Sequence, residues 1–228
     1  MMVAMEPNTG THDVGEPGVG DRYRDARLRI TALLEPVNDS AWDTPVDACT
    51  GWRVRDVLAH LVGVIEDAAA GRLSGPPDPV QTAAEVDRHR DDDPRELLRT
   101  WSAIAPPFES AITDGSTWPA LIDVVSHEHD LRTALGSRAH RDHPDIALLA
   151  RLLTGGIPGD VFVDLGEGAE VGTTEGLRLR TDHFEFFRLR LGRRSRRQVA
   201  RLDWSDDPER VLDAMFVFGP AATDLDER

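Results

Sequence analysis

The sequence predicts a mainly helical α+β protein, in which a four-helix bundle precedes a small α+β domain. Four segments of the first 140 residues repeat apolar side chains at helical spacing. Beyond residue 154, glycines separate short apolar runs of strand length. The 228 residues are enough for two unequal domains, each with its own core. We therefore predict a disordered tail at 1–19, the bundle at 20–140 and the small domain at 141–228.

The helices of the bundle are predicted from apolar periodicity and from signals at their ends. In the second helix, apolar residues follow Val54 at offsets of 3, 4, 7, 8 and 11, which is one helical face. A proline in the first turn and a glycine after the last are typical helix limits. Trp42–Cys49 is predicted to be a loop, and Ser74–Pro77 breaks the chain. The predicted helices run from Asp21 to about Val37, from Gly51 and Trp52 onward with Thr50 as the cap, from Asp93 and Pro94 with a kink at Pro106 and Pro107, and from Trp118 to Leu135 before Gly136.

The C-terminal segment mixes predicted helices and strands. Two apolar runs among glycines, at 161–163 and 177–179, are predicted to be strands. The helices are predicted from Asp145 to Leu153, from Asp182 to Leu191, from the cap Ser195 toward Ala200, and from Asp207 and Pro208 toward Phe216.

Composition excludes several classes of function. No apolar run approaches the length of a membrane span, and the N-terminus lacks the basic and then apolar order of a secretory signal, so a cytoplasmic protein is expected. The net charge of -15 and the absence of lysine argue against binding to nucleic acid or to anionic membranes. An arginine-rich chain without lysine is typical of a GC-rich genome such as that of an actinobacterium. The single cysteine, Cys49, excludes a multi-thiolate zinc site, so a metal here must be bound by imidazole and carboxylate groups.

A candidate metal site follows from the fourth helix. Asp123 and His127 are four residues apart and share one helical face, where they can chelate one ion, and Asp130 extends that stripe. His60, beside the apolar face of the second helix, is the candidate third ligand, which would leave one coordination position open. His129 is expected to be exposed on another side of the helix. The alternatives are a solvated polar stripe on the fourth helix and a hydrogen-bonded interior histidine at 60.

Two motifs resemble those of a known family. The run CTGWRVRDVLAHL, from Cys49 to Leu61, and the later pattern of Asp123, His127 and Asp130 followed by Leu131 and Arg132 are similar to the mycothiol-dependent maleylpyruvate isomerase family, a branch of the DinB-like bundles. The resemblance covers roughly residues 20 to 137. It implies that His60, Asp123 and His127 are the metal ligands, and Asp123 stands at an acidic position of the family where a characterised member has a glutamate.

The resemblance also implies an activity. A divalent metal, with zinc favoured, and mycothiol or a similar thiol would serve an isomerase or S-transferase that acts on a small electrophile, expected to bear a carboxylate. The alternative is a noncatalytic binding or regulatory module in which the metal only staples the bundle. The partners expected are a small-molecule thiol and electrophile, and the chain is expected to be a monomer or a homodimer.

The roles of four further residues are open at this stage. In the family the C-terminal domain supplies an arginine to the active site, and Arg193 and Arg194 are the candidates for a clamp on a substrate carboxylate. A solvated arginine surface is the alternative. Asp130 is predicted either to orient a metal ligand or to pair with Arg132. Cys49 is interpreted as a structural residue packed beside Trp52.

Overall fold

The computed structural model describes residues 17–73, 78–113, 117–166, 170–171 and 176–227. The chain divides into an N-terminal unit that ends at Ser137 and a C-terminal unit that begins at Arg138. The first unit is helical, and the second combines helices with a small sheet. The predicted α+β, mainly helical class is therefore confirmed.

Four long helices form the bundle of the N-terminal unit. Helix α1 packs against α4 and α5, and α2 packs against α4, α5 and the shorter α3. The helices are α1 (Val19–Leu34), α2 (Val54–Ala69), α3 (Pro79–Arg88), α4 (Pro94–Ala111) and α5 (Trp118–Ala134), with a 3-10 helix at Asp39–Asp43. The side chains buried between them include Tyr23, Ile30, Leu34, Leu58, Leu61, Ile65, Trp101, Leu121 and Leu131. The four predicted helices are confirmed, and α3 was not predicted.

Close approach between α1 and α4 depends on one glycine. A Cβ atom built on Gly20 would lie 1.9 Å from the backbone carbonyl oxygen of Glu109, near the end of α4. Any side chain at this position would therefore have to push the two helices apart. Pro106 and Pro107 lie inside α4, which continues through them to Ala111.

Some predicted limits in this unit are wrong. Helix α1 begins at Val19, inside the predicted tail, while residues 1–16 of that tail and the break at 74–77 lie outside the described residues. Helix α2 begins at Val54, so Thr50 does not cap it; the carboxylate of Asp56 accepts a hydrogen bond of 2.8 Å from the backbone N–H of Arg53 instead. The reason is that Arg53 is already paired with Pro45 in an antiparallel bridge.

The C-terminal unit contains a four-stranded sheet of order β2-β1-β3-β4. The central strands β1 and β3 are parallel, and the outer strands pair antiparallel with them. The elements are α6 (Pro144–Leu152), β1 (Val161–Asp164), β2 (Glu170–Val171), β3 (Leu177–Arg180), α7 (His183–Arg190), α8 (Arg196–Ala200), β4 (Asp203–Trp204) and a 3-10 helix at Leu212–Met215. The two predicted strands and the predicted helices at α6, α7 and α8 are confirmed.

The last predicted helix is wrong. The chain after Pro208 forms turns, and one 3-10 turn at Leu212–Met215 is its helical part. Strands β2 and β4 have two residues each, which is too short for an alternating pattern to be recognised. Among the described residues, no helix combines the length and the apolar character that crossing a bilayer requires.

Candidate metal centre

Two helices bring three potential ligand side chains to one point. Asp123 and His127 lie one turn apart on α5, and His60 faces them from α2. The Oδ1 atom of Asp123 is 3.5 Å from Nε2 of His60 and 3.5 Å from Nε2 of His127. Both histidines are buried, and the Asp123 side chain is 34% exposed. The predicted trio is thus assembled with one side reachable from solvent.

The spacing of these donor atoms fits one divalent metal. The three donor atoms all lie within 4.8 Å of one another. A tetrahedral zinc ion bound at about 2.1 Å needs donors about 3.4 Å apart, close to the two separations measured here. Two imidazole nitrogens and one carboxylate oxygen are also a typical donor set for zinc with an open fourth position.

Each histidine ring is held in place through its other nitrogen. Nδ1 of His60 is 2.7 Å from Oε2 of Glu85, a buried residue on α3. Nδ1 of His127 is 3.0 Å from Oδ2 of Asp130, which is fully buried on α5. A carboxylate can only accept a hydrogen bond, so each Nδ1 carries a proton, and Nε2 of each ring is the nitrogen left to bind a metal beside Asp123. This carboxylate, histidine and metal arrangement recurs at zinc sites.

An aromatic residue packs beside the two imidazoles. The ring of Trp52, just before α2, lies 5.3 Å from that of His60 and 6.1 Å from that of His127, measured between centroids. The two imidazoles themselves meet edge to face at 5.1 Å. Trp52 therefore restricts the rotation of both rings and gives the site an apolar border.

The charges of the trio reinforce one another. Burial raises the pKa of Asp123, but the two imidazoles outweigh burial and hold it well below the usual range for a carboxyl. Burial lowers the pKa of His60 and of His127, but Asp123, together with Glu85 at His60 and Asp130 at His127, outweighs burial, and the pKa of both histidines is raised. Without a metal the three side chains thus form a charged cluster, and a cation in their midst would take the place of the protons.

Cys49 lies on the outer side of the same cluster. Its Sγ atom is 3.5 Å from Oδ2 of Asp130 and 3.8 Å from Nδ1 of His127. Cys49, His127 and Asp130 also satisfy the distance condition for a metal site. A metal bound by Cys49, His127 and Asp130 would have to use Nδ1 of His127, whose proton is already hydrogen-bonded to Asp130. The Cys49 side chain is half-buried and contacts two residues of the site. Its interpretation as a structural residue packed beside Trp52 did not include these contacts.

The structure bears on two expectations about residues of α5. His129 was expected to be exposed, but it is buried at 3%. The reason is that α5 is packed on more than one side, so residues 124–132 are all buried. Asp130 lies against His127, while Arg132 bonds to the buried Glu128 through its Nε at 3.0 Å.

The two arginines predicted to clamp a substrate have partners within the C-terminal unit. Arg194 is buried, and its guanidinium binds both carboxylate oxygens of Glu185, at 2.6 and 2.7 Å, and one of Glu227, at 2.8 Å. It also lies in the wall of a cavity of about 1210 Å³, which Arg193 does not line. Arg193 donates to the carbonyl of Leu191. Their role as a clamp stays a prediction.

Glu85 is the site residue that the sequence did not reveal. Helix α3 is short and its large apolar residues are two valines, so no long apolar periodicity pointed to it. One signal was present, because Asp78 and Pro79 repeat the cap and first-turn proline that located α4 at Asp93 and Pro94.

Comparison with known proteins finds a matching domain family and similar solved structures. Residues 23–124 match the mycothiol maleylpyruvate isomerase N-terminal domain family. A crystal structure of the mycothiol-dependent maleylpyruvate isomerase is similar with a TM-score of 0.58 and 13% identity, over 83% of this chain and 92% of that chain. A structure of that enzyme with one histidine replaced by alanine gives 0.55 and 13%, over 77% and 88%. No curated protein gives a significant match. The N-terminal unit thus contains a segment that matches the mycothiol maleylpyruvate isomerase N-terminal domain, and the likeness to the solved structures is one of fold.

Proposed function

We propose that this protein is a metal- and thiol-dependent enzyme, an isomerase or S-transferase, that acts on a small electrophile bearing a carboxylate. One observation carries the proposal: His60, Asp123 and His127 present three donor atoms at zinc-like spacing, and buried carboxylates orient both rings. A purely structural zinc site normally has four protein ligands. Three donors and a partly exposed Asp123 favour a site that binds a further group.

In this proposal, each residue of the candidate metal centre has a defined role. His60, Asp123 and His127 would hold the metal, and zinc is the metal that we propose. When bound, such an ion lowers the pKa of a coordinated thiol and so favours its reactive thiolate at neutral pH. Asp130 accepts a hydrogen bond from Nδ1 of His127 and so leaves Nε2 as the nitrogen that would bind the metal. Trp52 limits rotation of both imidazoles.

The reaction class follows from the chemistry of a thiolate. Its sulfur adds to an activated carbon–carbon double bond and places the negative charge on the activating group, the resulting single bond rotates, and expulsion of the thiolate restores the double bond in the other geometry. In a transfer, the sulfur instead displaces a leaving group and stays bonded to carbon. We propose mycothiol or a similar thiol, because the similar structures are of mycothiol-dependent maleylpyruvate isomerase. Arg193 and Arg194 are kept as candidate partners of the substrate carboxylate.

The proposal is tested by thiol-dependent turnover in matched variants. Wild type, Asp123→Asn and His127→Ala are assayed with a panel of low-molecular-weight thiols and unsaturated or halogenated carboxylic acids. We expect turnover in wild type and its loss in both variants, with the far-UV circular dichroism unchanged. The control is His140→Asn, because His140 is exposed and asparagine tolerates its positive φ.

The outcomes separate the alternatives. Recovery of the thiol after turnover indicates isomerisation, and its stoichiometric consumption indicates transfer. If the wild type turns over no member of the panel but is stabilised by metal, the result would favour a noncatalytic binding module in which the metal has a structural role. Equal turnover in wild type and Asp123→Asn would contradict the assignment of the site.

A further inference from the structure

Helix α3 is attached to the bundle through a charged residue. Among its ten residues, all of which the structure describes, Glu85 is the buried one, at 2% exposure. Val80, an apolar residue of the same helix, is 76% exposed. Burial of apolar surface therefore explains little of why α3 lies on α2. A buried carboxylate is costly unless it is paired and hydrogen-bonded, and its partner here is His60.

A glycine makes this contact possible. Gly63 lies one turn after His60 on α2, and a Cβ atom built there would be 2.6 Å from Cβ of Glu85 and 3.1 Å from its Cα. No substituent fits without moving α3. The absence of a side chain at 63 thus lets the backbone of α3 come close enough for Glu85 to reach the imidazole.

The other polar contacts of α3 are made away from the site. Asp67, one turn beyond Gly63, accepts hydrogen bonds from Gln81 at 3.1 Å and from Arg88 at 2.6 Å. These bonds place α3 along the C-terminal half of α2, and they leave Glu85 as its contact with the candidate metal centre.

We propose that Glu85 is a positioning residue that aims Nε2 of His60 at the metal and makes the docking of α3 depend on that ring. The inference rests on the proposed metal site. By accepting a hydrogen bond from the Nδ1–H group, Glu85 fixes the tautomer and the orientation of the neutral His60 ring. Its negative charge also makes the imidazole a stronger ligand. Gly63 acts through Glu85, because it sets how closely α3 approaches.

The test measures zinc affinity by competition with a chromophoric chelator. We expect Glu85→Ala to weaken zinc binding about 10–100-fold, as replacement of such partners does elsewhere. Glu85→Gln retains an oxygen that accepts the hydrogen bond from Nδ1–H but loses the negative charge, so a loss of zinc affinity of about 10-fold is expected. Gly63→Ala should also weaken binding, because it displaces α3. The controls are Asp87→Asn, an exposed position on α3, and Gly159→Ala, where a Cβ atom meets nothing within 4 Å.

A second readout does not depend on metal. Long-range proton–nitrogen NMR spectra of the metal-free protein, recorded at a pH high enough for His60 to be neutral, report which of its nitrogens is protonated, and we expect Nδ1 in wild type and in Glu85→Gln. We expect a mixture of tautomers in Glu85→Ala. Wild-type zinc affinity in either folded Glu85 variant would overturn the proposal. A wild type that binds no zinc would overturn the proposed function instead, and the tautomer of His60 would still test whether Glu85 sets the ring.

Discussion

The register of α5, and with it the positions of Asp123 and His127, is predicted to depend on the buried charge of Glu128. Glu128 follows His127 directly and its side chain is 0% exposed. Its carboxylate accepts from Arg29 on α1, with Nε and Nη2 at 3.0 and 2.8 Å from Oε2, and from Nε of Arg132 at 3.0 Å. One buried acid thus links α5 to α1.

The size of the effect follows from burial. Replacing Glu128 with glutamine keeps the shape but removes the charge that compensates two arginines whose side chains are 13% and 7% exposed. Breaking a buried ion pair in this way costs about 3–5 kcal/mol of the free energy of unfolding. The exposed pair of Glu96 and Arg99 makes a matched control, because Glu96→Gln should cost no more than about 1 kcal/mol.

The assay is urea denaturation of wild type, Glu128→Gln and Glu96→Gln, followed by far-UV circular dichroism. We expect the midpoint of Glu128→Gln to fall well below the other two, and its thermal midpoint to fall by about 10 °C. Zinc affinity should fall with it, because α5 carries two of the three ligands. A loss under about 1 kcal/mol in Glu128→Gln would refute the reasoning that this charge positions α5.

Three further predictions concern stability. Burial raises the pKa of Glu227, but Arg188 and Arg194 outweigh burial and lower that pKa. The resulting stabilisation is present above the unfolded-state pKa and is lost as the pH falls through the folded-state pKa. Glu227→Gln should therefore reduce the acid sensitivity of unfolding, monitored by circular dichroism. Gly20→Ala should cost about 1–3 kcal/mol in urea denaturation, because its Cβ would collide with the carbonyl of Glu109, and an unchanged midpoint would argue against that contact. Zinc at 100 times its Kd should raise the free energy of unfolding by about 2.7 kcal/mol, and a chelator should reverse the gain.

The candidate ligands could be predicted from the sequence because their residue types and their helical spacing pointed to the same site. The helical spacing of Asp123 and His127, and the place of His60 beside an apolar stripe, made the three residues candidates. The resemblance to a known family implied that they form one ligand set, and their donor atoms do lie together. Local spacing fixes which side chains share a helical face. It does not determine how many faces of that helix are covered, which is why His129 was expected to be exposed and is buried.

The missed residues are those whose role depends on a tertiary contact. Glu85 sits on a short helix whose large apolar residues are two valines, and nothing local indicates that its carboxylate reaches His60, 25 positions earlier. Cys49 likewise meets Asp130 only because the segment before α2 folds back beside α5. The ion pairs of Arg194 could not be foreseen either, because Glu227 is distant in sequence.

The most direct test of the metal centre is elemental analysis of protein purified without a histidine tag, for wild type and for His60→Ala. A site with these three ligands predicts about one zinc ion per chain in wild type and little in the variant. Wild-type protein without metal that also takes up none in a zinc titration, or equal metal contents in wild type and His60→Ala, would contradict the assignment of His60, Asp123 and His127 as a metal site.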